Sequence, residues 1–218
     1  MDRPAPKPHR RHQMAACPSF APARRIGVMG GSFNPAHNGH LYIAKEAKQS
    51  ARLDEVWWLV SPQNPLKSAN GMARFEERLA GARRLAASHH WLRCLDIEEY
   101  LQLRTSFDSL TRLRKICPRA SLIWIMGADN LSQFPKWYRA RDIAQSIPIL
   151  VMSRPGYGWQ ALASKGAACL GRRNRRHAPR LLGRRRADNT QRVSRGWAFN
   201  HKTRNPLSAT MLRGGQAD

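Results

Sequence analysis

The stretch Arg25-Ile26-Gly27-Val28-Met29-Gly30-Gly31-Ser32-Phe33-Asn34-Pro35-Ala36-His37-Asn38-Gly39-His40 decides the fold. Its first half is a short apolar run that ends in two glycines, the pattern of a buried strand meeting a tight turn. Gly39 to Arg52 then predicts a helix, with Leu41, Ala44, Ala47 and Ala51 on one buried face and Lys45, Glu46 and Lys48 turned to water. Val56-Trp57-Trp58-Leu59-Val60 follows, continuous and bulky, as expected of a strand covered on both faces. These three segments make a βαβ unit.

Outward from that unit the alternation continues. A loop rich in Pro and Asn (61–71) leads to a helix carrying Phe75, Leu79, Ala82 and Ala86, and then to an alternating strand over 92–97. A helix over 107–116, a strand over 122–126, a helix near 137–146 and a strand over 149–152 complete the pattern. About five strands separated by helices predict an α/β fold: a Rossmann-like, doubly wound parallel sheet with right-handed crossovers and helices on both faces. Ligands of such sheets sit beyond the carboxyl ends of the strands, where the connection order reverses. That brings Gly30 to His40 and Gly127 to Asn130 to one mouth.

Composition bounds the rest. The chain has 218 residues, with 38 Lys and Arg against 14 acids and a formal charge of +24, so an anionic partner is expected. No apolar run approaches the roughly 18 to 20 residues of a membrane-spanning helix, so no membrane partner is expected. Cys17, Cys94, Cys117 and Cys169 form no CxxC pair, which argues against a zinc or redox motif and suits reduced thiols in a cytoplasmic protein. Residues 1–24 read as a disordered basic leader interrupted by five prolines, and 25–218 as one domain. Between Lys165 and Arg204 stand thirteen basic residues and one acid, Asp188, so an Arg-rich, loosely packed segment is expected at about 165–195. Trp197-Ala198-Phe199 predicts a further short strand, and Ser208 can cap a helix running to Arg213.

The chemistry concentrates on the first loop. Backbone N–H groups of Gly30, Gly31, Ser32, Phe33 and Asn34 and the positive end of the following helix face the sheet mouth, a geometry suited to polyphosphate. The loop fits neither the Walker pattern nor the GxGxxG fingerprint. His37 and His40 lie three apart on the first helical turn, so both imidazoles can project toward one anion. Either histidine alone reads more simply as a cap or a surface residue. Trp57, Trp58 and Trp124 sit in apolar runs and read as core.

On these residues the chain resembles the HxGH nucleotidylyltransferases, and within them the bacterial nicotinate-nucleotide adenylyltransferase family. Gly30 to His40 is similar to that family's GGSFNPxHxGH element, departing at Ala36, where a second proline is common. Pro62-Gln63-Asn64-Pro65-Leu66-Lys67 resembles its substrate loop, Gly127-Ala128-Asp129-Asn130 and Phe134-Pro135-Lys136-Trp137 its GADN and FxxW elements, and Arg154-Pro155-Gly156-Tyr157 its RPGY turn. Leu207 to Arg213 resembles its closing SSTxxR signature with Ala209 in place of one serine, while Thr105 to Leu110 departs from YTxDTL but keeps hydroxyls. The resemblance covers 25–157 and 197–213.

The resemblance implies adenylyl transfer from ATP to nicotinate mononucleotide, with a magnesium ion bound through the ATP phosphates. It implies that His37, His40 and Arg213 act in catalysis. Gly30, Gly31, Ser32, Phe33, Asn34, Gly127, Asp129, Ser208 and Thr210 would join them in binding ATP, and Lys67, Ser106, Trp137 and Arg154 would bind the nicotinate nucleotide. Asp129 also stands where a carboxylate can accept from ribose hydroxyls. Thr105 and Ser106 can equally cap the helix that follows. The competing readings are another HxGH adenylyltransferase, acting on nicotinamide mononucleotide or phosphopantetheine, and a basic nucleic-acid-binding protein built on the arginine run. The NPLK and FPKW blocks argue against the first. The absence of interleaved aromatics from the run argues against the second.

Overall fold

The strands stack as expected of βαβ units, with one more strand than the alternation had supplied. The computed structural model describes residues 24–62, 71–153, 158–171 and 196–201. Six parallel strands, β1 (Arg25–Gly31), β2 (Glu55–Val60), β3 (Leu92–Leu95), β4 (Ser121–Gly127), β5 (Ile149–Met152) and β6 (Trp197–Asn200), pair in the order β3-β2-β1-β4-β5-β6. The order reverses between β1 and β4, which run side by side with Met29 opposite Ile125. Both glycine turns therefore open at the same switch point.

Strand side chains alternate between two cores, as their period of two requires. On one face Ile26, Val28, Trp57, Leu59, Trp124, Met126 and Val151 pack with buried residues of α4 (Ser106–Ile116), α6 (Ala140–Ser146) and α8 (Lys165–Leu170). On the other, Met29, Val56, Trp58, Val60, Ile123, Ile125 and Leu150 meet α1 (Asn38–Ala51) and α2 (Phe75–Ala86). Trp57, Trp58 and Trp124 are buried, as their apolar runs imply. At the amino ends of the strands the buried Glu55 carboxylate accepts from Trp57 Nε1 at 2.8 Å and pairs with Arg24 and Arg93. That satisfies a charge whose burial alone would cost several kcal/mol.

Four expectations change in detail. The sheet has six strands rather than about five, because the short strand predicted at Trp197-Ala198-Phe199 forms as Trp197–Asn200 and pairs in parallel with β5, giving the Rossmann-like sheet a further edge. The third strand stops at Leu95, and Ile97 instead starts the short α3 (Ile97–Tyr100). The helix expected from about 137 begins at Ala140, after a 3-10 turn at Phe134–Lys136 in which Pro135 sits at the start. The segment expected to be loosely packed from about 165 opens as the packed helix α8, whose Gly166, Ala167 and Leu170 are buried. The rest of the arginine run, 172–195, and the leader, 1–23, lie outside the described residues.

Two further elements bear on the mouth: α5 (Ala128–Leu131), directly after β4, and α7 (Gly158–Leu162), which packs against it. Helix α8 reaches α5 only because residue 166 has no side chain, since a Cβ there would lie 1.6 Å from the Leu131 carbonyl oxygen. Backbone cannot yield as a flexible side chain can. Within α3, Glu98 is 8% exposed and accepts from Ser61 Oγ at 2.7 Å and Ser109 Oγ at 2.8 Å. Burial pushes its pKa above the ordinary glutamate value, against the opposing pull of the two hydroxyls.

Gly166→Ala is expected to destabilise the fold by about 1 to 3 kcal/mol, as overpacking does, or more if α8 detaches. An unchanged denaturation midpoint would contradict that packing. For Glu98 the raised folded pKa means that its stabilising contribution is complete below the unfolded value and is lost as pH rises through the folded one. The melting temperature of Glu98→Gln should therefore rise relative to wild type as pH increases above the ordinary glutamate range. A pH-independent gap would show that Glu98 does not titrate abnormally.

Candidate active site

The first loop is shaped by a residue in an uncommon conformation. Phe33 has φ of 46°, in the left-handed region that bulky side chains avoid, and is held there by burial to 1% exposure. Its ring stacks on Trp58 at 4.9 Å and tilts against His40 at the same centroid distance. Such strain persists where surrounding packing over-determines it, and functional loops are where it collects. Gly30 is fixed from the other side, since a Cβ there would lie 2.6 Å from the Trp124 ring.

His37 and His40 meet at the amino terminus of the 14-residue α1, with ring centroids 3.9 Å apart. His37 is the N-cap, and its Nδ1 accepts from the Gly39 N–H at 3.0 Å. The His37 N–H in turn donates to His40 Nδ1 at 3.3 Å, closing a reciprocal capping box with histidine in both roles. An Nδ1 that accepts carries no proton, so the neutral rings hold it on Nε2. Both Nε2 atoms are then donors, set beside the positive end of a helix dipole. The capping roles are filled by the Nδ1 atoms of both rings.

Across the switch point, β4 ends at Gly127, which is the N-cap of α5, and Asp129 lies in the first turn of that helix. Trp137 closes the 3-10 turn, half-buried, with its ring 5.4 Å from Phe134 and 6.2 Å edge-on to Trp124. The same Trp124 ring lies over Gly30, so one indole bridges the glycine loop and the aromatic wall. On α4 the capping role falls to Thr105, whose Oγ1 accepts from the Asp108 N–H at 3.2 Å and donates to its carboxylate at 2.7 Å. Ser106 follows as the first residue of the helix. Asn34 lies in the loop, but its amide serves the chain: Nδ2 donates to Gly71 O at 2.9 Å and Oδ1 accepts from Ala73 N at 3.1 Å.

The expected residues Gly30 and Gly31 end β1 and Gly127 ends β4, while Ser32, Phe33, Asn34, His37, His40, Ser106, Asp129 and Trp137 lie in the segments that follow β1, β3 and β4. Lys67, Arg154, Ser208, Thr210 and Arg213 lie outside the described residues. Two charged residues at this mouth escaped the sequence reading. Arg78, 3% exposed, donates to the carbonyls of Ser32, Ser61, Pro62 and Ala73, and Glu98 binds Ser61 and Ser109. The signal for Arg78 was available: it stands with Phe75, Leu79, Ala82 and Ala86 at i+3, i+4, i+7 and i+11, a cation on an apolar stripe.

Residues 28–215 match the cytidylyltransferase-like family model. The chain is 46% identical over 157 residues to a protein of Parvibaculum lavamentivorans named probable nicotinate-nucleotide adenylyltransferase, covering 72% of this chain and 78% of that one. It is 42% identical over 191 residues to a protein of the same name from Gluconobacter oxydans, covering 87% and 93%. The solved structure of Plasmodium falciparum nicotinic acid mononucleotide adenylyltransferase complexed with NaAD has the same fold, with a TM-score of 0.62 over 88% of this chain and 83% of that one, at 13% identity. Sequence and architecture converge: this chain belongs to the cytidylyltransferase-like family, among its nicotinate-nucleotide adenylyltransferases.

Proposed function

We propose that this nucleotidyltransferase transfers the adenylyl group of ATP to nicotinate mononucleotide, giving nicotinate adenine dinucleotide and pyrophosphate, a step of NAD synthesis. The observation that carries the mechanism is the His37 and His40 pair, with both Nδ1 atoms held by backbone N–H groups at the start of α1. A phosphate oxygen of the mononucleotide forms a bond to the α-phosphorus of ATP while the bond from that phosphorus to the bridging β-phosphate oxygen breaks. The nucleophile is already an anion, so no protein base is needed. What the protein must supply is alignment of two anions and positive potential around the phosphorus, where each well-placed donor is worth about 10²- to 10³-fold.

In this reading the Nε2–H groups of His37 and His40 and the N–H groups of the glycine loop hold the triphosphate, and Ser208, Thr210 and Arg213 grip its far end. Asp129 accepts from ribose hydroxyls, Trp137 offers a flat face to the pyridine ring, and Ser106, Lys67 and Arg154 meet the acceptor's carboxylate and phosphate. Magnesium fits this donor set as an ion carried by the nucleotide, since its preferred hard oxygens are on the phosphates; there it neutralises triphosphate charge. The described residues hold no group of three His, Cys, Asp or Glu side chains that could bind a metal. The place of work is the cytoplasm, which suits Cys94, Cys117 and Cys169 as free thiols. No helix among the described residues is long and apolar enough to cross a membrane.

Purified protein with ATP and magnesium should release pyrophosphate with nicotinate mononucleotide much faster than with nicotinamide mononucleotide, and equal rates would overturn the acceptor assignment. His40→Ala should lower turnover by about 10²- to 10³-fold. It also removes half of a capping box, at about 0.5 to 2 kcal/mol of stability. His40→Gln can keep the reciprocal hydrogen bond and should keep the melting temperature while still losing turnover. Turnover that follows stability alone across the two variants would assign His40 to capping only.

A further inference from the structure

We propose that Arg78 is a positioning residue for the transfer, setting the separation between the glycine loop and the segment that enters and leaves the acceptor loop. The proposal rests on the function given above and names a residue that touches neither substrate. Arg78 Nη1 donates to Ser32 O at 2.6 Å and to Ser61 O at 2.7 Å, Nη2 donates to Pro62 O at 2.7 Å, and Nε donates to Ala73 O at 3.0 Å. Four of the five N–H groups of a guanidinium are thereby spent on backbone from three separate stretches of chain. A planar fork can do this; the point charge of a lysine cannot.

The neighbours of Arg78 extend the same frame. Ser61 N donates to Gly31 O at 2.9 Å, so the loop after β2 is bonded to the glycine loop directly as well. Asn34 ties that glycine loop to Gly71 and Ala73, where the chain returns to α2. Ser61 on one side and Gly71 and Ala73 on the other are thus each bonded to the segment 31–34 that precedes His37. Ser61 Oγ continues through Glu98 to Ser109 on α4, the helix that Ser106 begins. Burial lowers the pKa of Arg78, and Glu76 and Glu99 only partly offset this from a distance. A cation kept on an apolar stripe with no carboxylate among the described residues bonded to it is costly for packing alone, where a Leu or Met would serve. Beside the Phe75 ring, 5.6 Å away, what offsets that cost is its four carbonyl partners, and all four are in loops at the mouth.

The test compares Arg78→Lys with wild type and with Arg93→Gln, whose parent side chain pairs with Glu55 at the opposite end of the sheet. Steady-state kinetics are run with ATP and nicotinate mononucleotide each varied, at a temperature where all three proteins are folded. Arg78→Lys should lose about 10- to 100-fold in kcat, the scale of a misplacement near 1 Å, with kcat/KM falling by a similar factor for both substrates. Arg93→Gln should lose melting temperature and keep kcat/KM. Hydrogen exchange supplies a readout independent of turnover: the amides of Ser61 and Ala73 should exchange faster together in Arg78→Lys. The proposal falls if Arg78→Lys loses only stability, if its loss is confined to one substrate, if Arg93→Gln loses as much kcat/KM, or if those amides are unchanged. A wild type without activity would sink the proposed function instead, leaving the exchange result to decide the role of Arg78.

Discussion

Two backbone N–H groups, of His37 and Gly39, hold the candidate site together by claiming the Nδ1 atoms of His40 and His37. Every other feature of the mouth is arranged around the constraint this imposes. An uncapped helix would expose orphan donors, and an untethered imidazole would sample both tautomers and several rotamers. Using histidine where Ser and Glu usually form a capping box settles both at once. It fixes which ring nitrogen carries the proton, and it anchors the rings to the helix whose dipole favours the same anion. Such donors need little reorganisation when charge develops, which is the condition under which electrostatic stabilisation is largest.

The aromatic core transmits that order across the switch point. Phe33 stays in its left-handed conformation because Trp58 and His40 close on its ring, and Gly30 can approach β4 because it presents only hydrogen to Trp124. Trp124 then meets Trp137 edge-on, a geometry that suits the quadrupoles of the two rings. The glycine loop and the candidate pyridine face therefore share one neighbour, the Trp124 ring, through which a displacement of one bears on the other. Close-packed interiors transmit strain in this way.

Much of this was legible in the amino-acid order because strong local signals agreed with the global fold. The apolar run before Gly30, the bulky run 56–60 and the helical spacing of α1 each carried one reading, and each is found as read. The sixth strand was legible as a short apolar run at Trp197-Ala198-Phe199, but its place in the sheet was not, since so short a run does not say which strand it pairs with, and pairing with β5 decides it. Helix α8 was hidden by composition: its charge neighbourhood suggested solvent, while Gly166 gave no sign of the backbone it approaches. The histidine pair could be placed on one helical turn from spacing, but not its tautomers, which depend on hydrogen bonds within that turn. Thr105 and Ser106 were equivalent as caps until the backbone showed that Thr105 bonds to Asp108.

Arg78 and Glu98 illustrate why charge at a mouth resists reading from sequence. Both are buried, and neither forms an ion pair among the described residues. Each instead binds neutral partners, carbonyls for the cation and hydroxyls for the acid, and both reach Ser61 from opposite sides, Arg78 at its carbonyl and Glu98 at its Oγ. A direct pair would leave Ser61 with its backbone bond to Gly31 and neither of these two partners. Splitting the pair around one residue places a cation at its carbonyl and a carboxyl group at its Oγ, so moving Ser61 weakens one interaction or the other. The desolvation cost of both groups is then set against the stiffness of a single point of backbone, the point at which β2 gives way to the loop that the proposed reaction requires.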